Sequence, residues 1–433
     1  MADEKNWIRE AMFYHIYPLG FTGAPLRNEG EATAGGRILE VLDWIEHFKE
    51  LGINAIYFGP IFESVSHGYD TTDYYQTDSR LGSKEDFKKV FTALHENGIR
   101  VIVDGVFNHV GRKFFVFLDV QKNLEQSDYK DWFCNLNFSW QSPLGDSFSY
   151  ENWHGAAELV KLNLRNPAVC EHLLGAVGMW MDELGIDGLR LDAADCVDRE
   201  FFKRLHSFTK GKREDFWLMG EIIHGDYRVW ANDEMLDSVT NYECWKGIYS
   251  SHNDKNYFEI AYSLKRQFGQ GGLYENLCLY NFLDNHDVNR IGSLLKQREN
   301  LKNAYTLLYM MPGIPSIYYG SEWGIEGVKG QGMDADLPLR PKLDLEEMCA
   351  QETDLPAHIR ELAKIRKESD AVKYGAYDEV LVRNKQFVFA RRSGEQYKVI
   401  ALNLTDHAET LHFSYQGKEY EVLLEAYTSK IME

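Results

Sequence analysis

The amino-acid sequence predicts an α/β fold: a (β/α)8 TIM barrel with an excursion domain inserted after the third strand and an antiparallel β-sandwich domain at the C-terminal end. Short apolar runs alternate with amphipathic stretches along most of the 433 residues, which is the order expected of βα units. Several runs are apolar at successive positions, as at 101–103, and such runs are typical of parallel strands buried on both faces. From about residue 372 the pattern changes to short alternating strands, which favours a separate β domain.

Each βα unit is predicted from its own apolar run and the amphipathic stretch that follows. The candidate barrel strands are Met12–Tyr17, Ala55–Gly59, Arg100–Asp104, Gly188–Asp192, Phe216–Glu221, Leu236–Thr240, Cys278–Leu283 and Ser316–Tyr319. The candidate helices are Ile38–Leu51, Lys84–Asn97, Pro167–Leu184, Arg199–Thr209, Phe258–Phe268, Lys302–Met311 and Ala357–Lys367. A doubly wound open sheet is the alternative, but no glycine-rich phosphate loop follows an early strand.

Two regions interrupt this alternation and define four segments. Residues 110–163 are aromatic and polar, show no clear helix, and are assigned to the inserted domain. The barrel then comprises residues 1–109 and 164–371, and residues 372–433 form the C-terminal β domain. Its five predicted strands are Glu379–Val382, Gln386–Arg391, Tyr397–Leu402, Glu409–Phe413 and Glu419–Leu424.

The composition excludes several classes of partner. With 47 Lys and Arg against 67 Asp and Glu, the net charge is −20, so binding to nucleic acid or to an anionic substrate is not expected. No run reaches the length of a membrane span, and the charged first residues do not resemble a signal peptide. The six scattered cysteines are therefore expected to be reduced, in a cytoplasmic protein. The 59 aromatic residues (24 Phe, 25 Tyr, 10 Trp) suit a neutral, stackable ligand such as a sugar.

Polar side chains concentrate at the carboxyl ends of the predicted strands, where barrel enzymes carry their chemistry. Four strand ends together supply carboxylates, three histidines and an arginine: Asp104, Asn108 and His109; Arg190, Asp192 and Asp195; Glu221 and His224; Asp284, His286 and Asp287. Any one of these acids, taken alone, is most simply explained as a helix cap or a turn residue. The concentration of all of them at one end of the barrel predicts an active site.

Glycoside cleavage is the chemistry that such a cluster suits, because two carboxyl groups about 5–5.5 Å apart can act as nucleophile and acid. Arg190 lies two residues before Asp192, so both side chains point to the same face of the strand. We expect the guanidinium to hold Asp192 ionised. We expect Glu221, less well paired and partly desolvated, to keep a raised pKa and to act first as acid and then as base.

These four segments closely resemble the signature regions of the α-amylase family, glycoside hydrolase family 13. The resemblance covers nearly the whole chain and implies that Asp192 is the nucleophile, Glu221 the general acid/base and Asp287 the transition-state stabiliser. It further implies sugar-binding roles for the residues that match subsite positions: Tyr69, His109, Arg190, His286, Asp336 and Arg340. A surface salt bridge is the alternative for Asp336 and Arg340. His15, in the first strand, could equally belong to the core.

Two finer motifs resemble the group of neopullulanases, cyclomaltodextrinases and maltogenic amylases. These are Leu159-Val-Lys-Leu-Asn163 and Glu221-Ile-Ile-His224, followed by Asn241-Tyr242. The group cleaves α-1,4 bonds in maltodextrins and cyclodextrins, so the implied partner is an α-glucan oligosaccharide. The chain departs from the group at Ile223, where a tryptophan is usual, and at Asp195-Cys196, where Asn-Glu is usual.

The same resemblance bears on metal and on the alternatives. Many α-amylases hold a structural calcium between the positions of Asn108 and Lys161, but a lysine supplies a cation where Ca²⁺ needs oxygen. No metal and no other cofactor is expected at the site. A transglycosylase or isomerase using the same intermediate, and a non-catalytic binding relative, remain open at this point, as do the oligomeric state and the preferred glucan.

Overall fold

The computed structural model describes residues 7–30, 36–332 and 334–433. Eight parallel strands form one sheet: β1 (Phe13–Ile16), β2 (Ala55–Phe58), β3 (Arg100–Gly105), β4 (Gly188–Leu191), β5 (Trp217–Gly220), β6 (Ser238–Val239), β7 (Tyr280–Phe282) and β8 (Ile314–Tyr318). Their order in the sheet is β6-β5-β4-β3-β2-β1-β8-β7. A parallel bridge between Thr240 and Tyr280 joins β6 to β7 and closes the barrel. The predicted barrel is confirmed, and each of the eight candidate runs overlaps one of its strands.

The helices lie outside the barrel and bury their apolar faces against it. The main ones are α1 (Ile45–Glu50), α2 (Lys84–Glu96), α3 (Pro167–Met179), α4 (Arg199–Lys212), α5 (Tyr242–Asn253), α6 (Phe258–Phe268), α7 (Leu301–Met310) and α8 (Leu355–Glu368). The α1 segment is preceded by a 3-10 helix, Arg37–Trp44, and α3 continues into a π-helical turn, Trp180–Leu184. Local capping sets the starts of α2 and α4, because Ser83 and Asp198 accept hydrogen bonds from the first-turn amides.

The barrel interior is filled by alternate residues of the strands, because successive side chains of a strand point to opposite faces. This inner cluster consists of Ile8, Ala11, Phe13, Ala55, Tyr57, Ile102, Trp217, Met219, Tyr242, Tyr280, Phe282 and Ile314. A larger apolar cluster occupies the layer between strands and helices. The barrel is therefore packed below its carboxyl end.

Several elements differ from the sequence prediction. The segment after β3 contains a helix, Phe115–Asn123, beside a three-stranded sheet of His109–Gly111, Ala156–Lys161 and Asn152–Trp153, so the expectation of no clear helix there was wrong. The helix α5, a hairpin of Phe62–Ser64 with Thr71–Thr77, and a last strand, Ser429–Met432, were not predicted.

The C-terminal region consists of two antiparallel sheets around a shared apolar cluster. Four strands, β9 (Ala376–Val382), β10 (Gln386–Ser393), β11 (Gln396–Asn403) and β14 (Ser429–Met432), form one sheet, and β12 (Glu409–Tyr415) pairs with β13 (Lys418–Leu424). Side chains of both sheets, among them Val388, Leu411 and Val422, share one core. The described helices include none long and apolar enough to cross a membrane. The four segment boundaries given above stay predictions.

Candidate active site

A cavity of about 900 Å³ opens at the carboxyl ends of the barrel strands. Seven of the nine predicted site residues line it: Tyr69, His109, Asp192, Glu221, Asp287, Asp336 and Arg340. The other two, Arg190 and His286, are 3% and 1% exposed and lie directly behind these side chains. Segments that follow six different barrel strands thus converge on one cavity.

Arg190 connects the carboxylates of the site. Its Nη1 lies 2.8 Å from Asp104 Oδ1 and 2.9 Å from Asp192 Oδ1, and its Nη2 lies 2.8 Å from Glu221 Oε2. Glu221 also accepts the amide hydrogen of Ala193, at 3.1 Å. The expectation that Glu221 is less well paired than Asp192 was therefore wrong, since one guanidinium holds both. Because that guanidinium is buried and planar, it fixes the two carboxyl groups relative to each other.

Burial controls the protonation of this pair. It raises the pKa of Asp192 well above its usual range, and it also raises the pKa of Glu221, while Arg190 lowers both. The expectation that Arg190 alone keeps Asp192 ionised is thus incomplete, because desolvation opposes the guanidinium. A site that holds several buried carboxylates against one such cation favours keeping one proton within the pair.

Asp287 has the opposite environment. Burial by itself would raise its pKa, but the charges of His286, Arg340 and Arg190 hold the pKa below its usual range. His286 Nε2 lies 3.0 Å from Asp287 Oδ2, and Arg340 Nη2 lies 3.0 Å from Asp287 Oδ1. This third carboxylate therefore remains ionised beside Asp192 and Glu221, whose pKa values are raised.

Tyr69 and His109 form the wall opposite the acids. Tyr69 donates its hydroxyl hydrogen to Asp104 Oδ2, at 3.0 Å, and the guanidinium of Arg190 lies 5.9 Å from the centre of its ring. His109 Nε2 lies 3.1 Å from the carbonyl oxygen of Tyr69 and 3.9 Å from Asp192 Oδ2. Burial lowers the pKa of His109 to about 3, so this imidazole is neutral. The neutral ring has one N–H, and its Nε2 donates it to the carbonyl oxygen of Tyr69, which holds the imidazole in place beside Asp192.

The pair Asp336 and Arg340 is not a surface salt bridge. Arg340 is 9% exposed and contacts Asp336 Oδ2 at 3.2 Å and the carbonyl oxygen of His286 at 3.0 Å. Its guanidinium also lies 4.4 Å from the centre of the Tyr17 ring. Lys329 contacts the other oxygen of Asp336 at 2.7 Å. The pair therefore forms one side of the cavity.

Several cavity residues were missed from the sequence, and two strand-end residues lie elsewhere. Tyr17, Trp153, Tyr242 and Trp245 line the cavity. Strand-end position does not reveal the last three, because Trp153 lies in the inserted segment and Tyr242 and Trp245 lie in α5. Asp284 is buried away from the cavity and accepts from Ser321 Oγ at 2.7 Å. His224 is exposed and does not line the cavity.

The residues at the usual calcium position do not fit that ion. Asn108 has a buried side-chain oxygen without a partner among the described residues, which is one suitable ligand. The second position is Lys161, whose amino group lies 2.6 Å from Glu151 Oε1. A cation already paired with the nearby carboxylate leaves Ca²⁺ without the oxygens it needs. Within the described ranges, no three His, Cys, Asp or Glu side chains are grouped as a metal site.

We therefore expect EDTA to leave the melting temperature of the protein unchanged to within about 1 °C, because a metal that binds only the folded state would stabilise it measurably. Differential scanning fluorimetry with EDTA and with an excess of CaCl₂ provides the measurement. Lys161→Asp is the matched variant, since it restores an oxygen ligand beside Asn108 and should gain a calcium-dependent Tm. A wild-type Tm that falls with EDTA and recovers with calcium would contradict the prediction.

Comparisons with known proteins agree with this arrangement. Residues 15–361 match the model of the α-amylase catalytic domain. The chain is 31% identical over 428 residues to a cyclomaltodextrinase of a Bacillus species, covering 94% of this chain and 74% of that protein. It is 34% identical over 352 residues to neopullulanase 2 of Thermoactinomyces vulgaris, covering 74% and 58%.

A solved structure extends the similarity to the whole fold. The cyclic α-maltosyl-(1→6)-maltose hydrolase of Arthrobacter globiformis, in complex with its cyclic tetrasaccharide, superposes with a TM-score of 0.87 at 26% identity and covers 99% of both chains. The same hydrolase has also been solved in complex with maltose. The match of the catalytic-domain model to most of the chain, together with relatives above 30% identity, shows that this chain is a glycosidase belonging to the α-amylase family, glycoside hydrolase family 13.

Proposed function

We propose that the protein is a retaining glycoside hydrolase that cleaves α-1,4-glucosidic bonds in maltooligosaccharides, cyclodextrins and starch-type α-glucans through a covalent glucosyl-enzyme intermediate. One observation carries the proposal: Asp192 and Glu221 are held by the same guanidinium, 2.9 Å and 2.8 Å from its nitrogens. Two carboxyl groups that share one cation lie close enough for one to attack and the other to protonate the leaving oxygen.

In the first step Asp192 attacks the anomeric carbon while Glu221 gives its proton to the glycosidic oxygen, so the bond to the leaving sugar breaks as the bond to Asp192 forms. In the second step Glu221, now ionised, removes a proton from water, and the water oxygen displaces Asp192. Burial raises the pKa values of both Glu221 and Asp192, which favours one proton on the pair, and the first step requires that proton on Glu221. Asp287, whose pKa is lowered, stays anionic beside the positive charge that develops on the sugar ring.

The other cavity residues hold the sugar at the point of cleavage. Tyr69 presents a ring to the sugar face and Arg340 presents N–H donors to hydroxyl groups, while His109 and His286 support this subsite by contacting the Tyr69 carbonyl oxygen and the Asp287 carboxylate. Asp336 and Arg340 hold the next glucose on the side away from Glu221. Arg190 is buried behind the acids and acts by fixing them.

The names and complexes of similar proteins support the choice of substrate. Relatives above 30% identity are a cyclomaltodextrinase and an intracellular maltogenic amylase, and the Arthrobacter hydrolase was solved with a maltose-containing cyclic tetrasaccharide and with maltose. Hydrolysis is therefore favoured over transglycosylation, isomerisation or mere binding. We also propose a cytoplasmic location and no nucleic-acid or membrane partner, in line with the net charge of −20.

Product stereochemistry tests the mechanism. We expect the first product released from maltotetraose to carry the α configuration at its new reducing end, because two successive displacements restore the starting anomer. Proton NMR within the first minutes of reaction, before mutarotation, measures it, and Glu221→Gln is the inactive control. A β anomer would contradict the proposed two-step mechanism.

A product profile on maltotriose, cyclodextrin, pullulan, starch and sucrose separates the remaining alternatives. Glucose and maltose without longer products indicate hydrolysis, whereas oligosaccharides longer than the substrate indicate transfer. Conversion of sucrose with no action on the α-1,4 glucans would contradict the proposed substrate class.

A further inference from the structure

A second depression, with a volume of about 1060 Å³, lies beside the catalytic cavity. Its walls come from residues 195–203, which follow β4, from residues 229–235, which follow β5, and from Arg165; we call it the outer groove. Asp195 lines both the outer groove and the cavity, so the two adjoin at this residue. A ligand held at the acids can therefore extend from the cavity into the outer groove.

The outer groove lies on the side of the cavity from which the leaving sugar departs. In the closed barrel, β4 and β5 are neighbours and lie across from β8 and β1. Asp336 and Arg340 follow β8, whereas Glu221, which protonates the glycosidic oxygen, directly follows β5. A glucan with one unit at Asp192 and the preceding unit at Arg340 therefore runs, with its reducing end leading, toward Glu221 and the outer groove.

Trp230 supplies an aromatic surface in the outer groove. Its ring lies beside Gly225, four residues after Glu221: a Cβ at Gly225 would lie 3.5 Å from two of the ring carbons. The side chain is half-buried, and among the described residues no aromatic ring or cation stacks on it. Its indole N–H is neither buried nor hydrogen-bonded to a described residue. Such a residue suits a sugar, because the ring packs against C–H groups while the N–H donates to a hydroxyl.

The ionic side chains of the outer groove favour a neutral ligand with many hydroxyl groups. Five acids and three bases line it, so its net charge disfavours an anion. Several of these groups are paired: Arg165 Nε lies 2.8 Å from Asp198 Oδ2, and Lys203 Nζ lies 3.2 Å from Glu200 Oε1. Paired ionic groups retain hydrogen-bonding capacity for hydroxyl groups, and their pairing weakens the attraction of a charged ligand.

We propose that the outer groove binds the reducing-end glucose units of longer maltooligosaccharides, with Trp230 as the stacking surface. The enzyme thereby cleaves long linear chains more efficiently than maltotriose, which is too short to reach Trp230 from the acids. The proposal rests on the proposed function for the direction of the chain, and it adds a preference for chain length.

The experiment measures kcat/KM on the series from maltotriose to maltoheptaose. We expect the wild-type value to rise with chain length, and Trp230→Ala to lower it about 5–10-fold on maltoheptaose, the size of one aromatic contact, but less than about twofold on maltotriose. Trp230→Phe keeps a stacking ring and should recover most of the loss. Trp140→Ala is the matched control, because Trp140 is 69% exposed in the inserted segment and lines neither the cavity nor the outer groove; it should leave every value unchanged.

The dependence on chain length decides the outcome. A stacking surface outside the cavity acts only on the longer chain, so an equal loss on maltotriose and maltoheptaose in Trp230→Ala, or no loss on either, would overturn the proposal.

Binding to the Glu221→Gln protein separates this proposal from the proposed function. Titration calorimetry should show tighter binding of maltoheptaose than of maltotriose, and the added Trp230→Ala should remove the difference. If the wild type cleaves no maltooligosaccharide while this binding pattern holds, the proposed function fails and the outer groove remains a glucan-binding site. Equal affinities of Glu221→Gln for the two oligosaccharides would overturn the proposal for the outer groove.

Discussion

Asp192→Asn is expected to lower kcat on maltotetraose by at least about 10⁴-fold, because removal of a nucleophile leaves only the binding and electrostatic parts of catalysis. The substitution removes the attacking oxygen while keeping the size of the side chain, so Arg190 retains its contacts with Asp104 and Glu221. Steady-state release of reducing sugar gives the rate. Near-wild-type turnover would rule out Asp192 as the nucleophile.

The stability of this variant provides its control. Burial raises the pKa of Asp192, which means that its ionised form is disfavoured in the folded state relative to the unfolded state. At a pH above its unfolded pKa, Asp192 therefore lowers the stability of the folded state. We expect Asp192→Asn to leave the Tm at pH 7 unchanged or to raise it. Asp182→Asn, an exposed substitution on the helical outside, should change neither rate nor Tm. If Asp192→Asn loses its activity and its Tm also falls strongly, the loss of activity reflects misfolding and not removal of the nucleophile.

Arg190→Leu is expected to destabilise the protein by about 3–5 kcal/mol and to abolish measurable activity, because it leaves the buried carboxylates of Asp104, Asp192 and Glu221 without their shared cation. The loss should depend on pH with a definite sign. Without the guanidinium the folded-state pKa values of Asp192 and Glu221 rise further above their unfolded values, so the native state binds more protons and its stability falls as pH increases. Urea unfolding at pH 5 and pH 8 should therefore show the larger destabilisation at pH 8.

Arg190→Lys separates charge from geometry. Lysine keeps one positive charge but cannot hold two carboxylates with a planar fork. Its stability should lie between those of the wild type and Arg190→Leu, with activity still strongly reduced. Equal destabilisation of Arg190→Leu at pH 5 and pH 8 would contradict the electrostatic explanation.

The sequence predicts the barrel well because each parallel strand is a local apolar run that is buried on both faces. Elements whose pattern is less regular were missed for identifiable reasons. The helix Phe115–Asn123 exposes Phe115 and Leu118, so its apolar residues do not follow a single face. The helix α5 contains Gly247, Ser250 and Ser251 among its buried positions, which hides its inner face from a search for apolar spacing.

The site was predictable as a set of residues and not as a set of contacts. Strand-end position locates Asp192, Glu221 and Asp287, since the carboxyl ends of parallel strands meet at one end of the barrel. The spacing of Arg190 and Asp192 says nothing about Glu221 on the next strand, so the shared guanidinium was not foreseen. The ring of Tyr17 buries Arg340 through a contact between residues more than 300 positions apart. The spacing of residues along the sequence does not predict such a contact.

The pairing of β1 with β8 has a consequence for how the enzyme is made. His15 pairs in register with Tyr318, so the first barrel strand to leave the ribosome waits for a partner about 300 residues downstream. At about 5–20 residues per second, this wait lasts on the order of a minute or less. Closing so long a loop is slow, and until it closes the apolar edge of β1 stays open to other chains. Arg340, which the cavity also requires, comes later still. An active site that includes Arg340 therefore cannot assemble on a nascent fragment that ends before this residue.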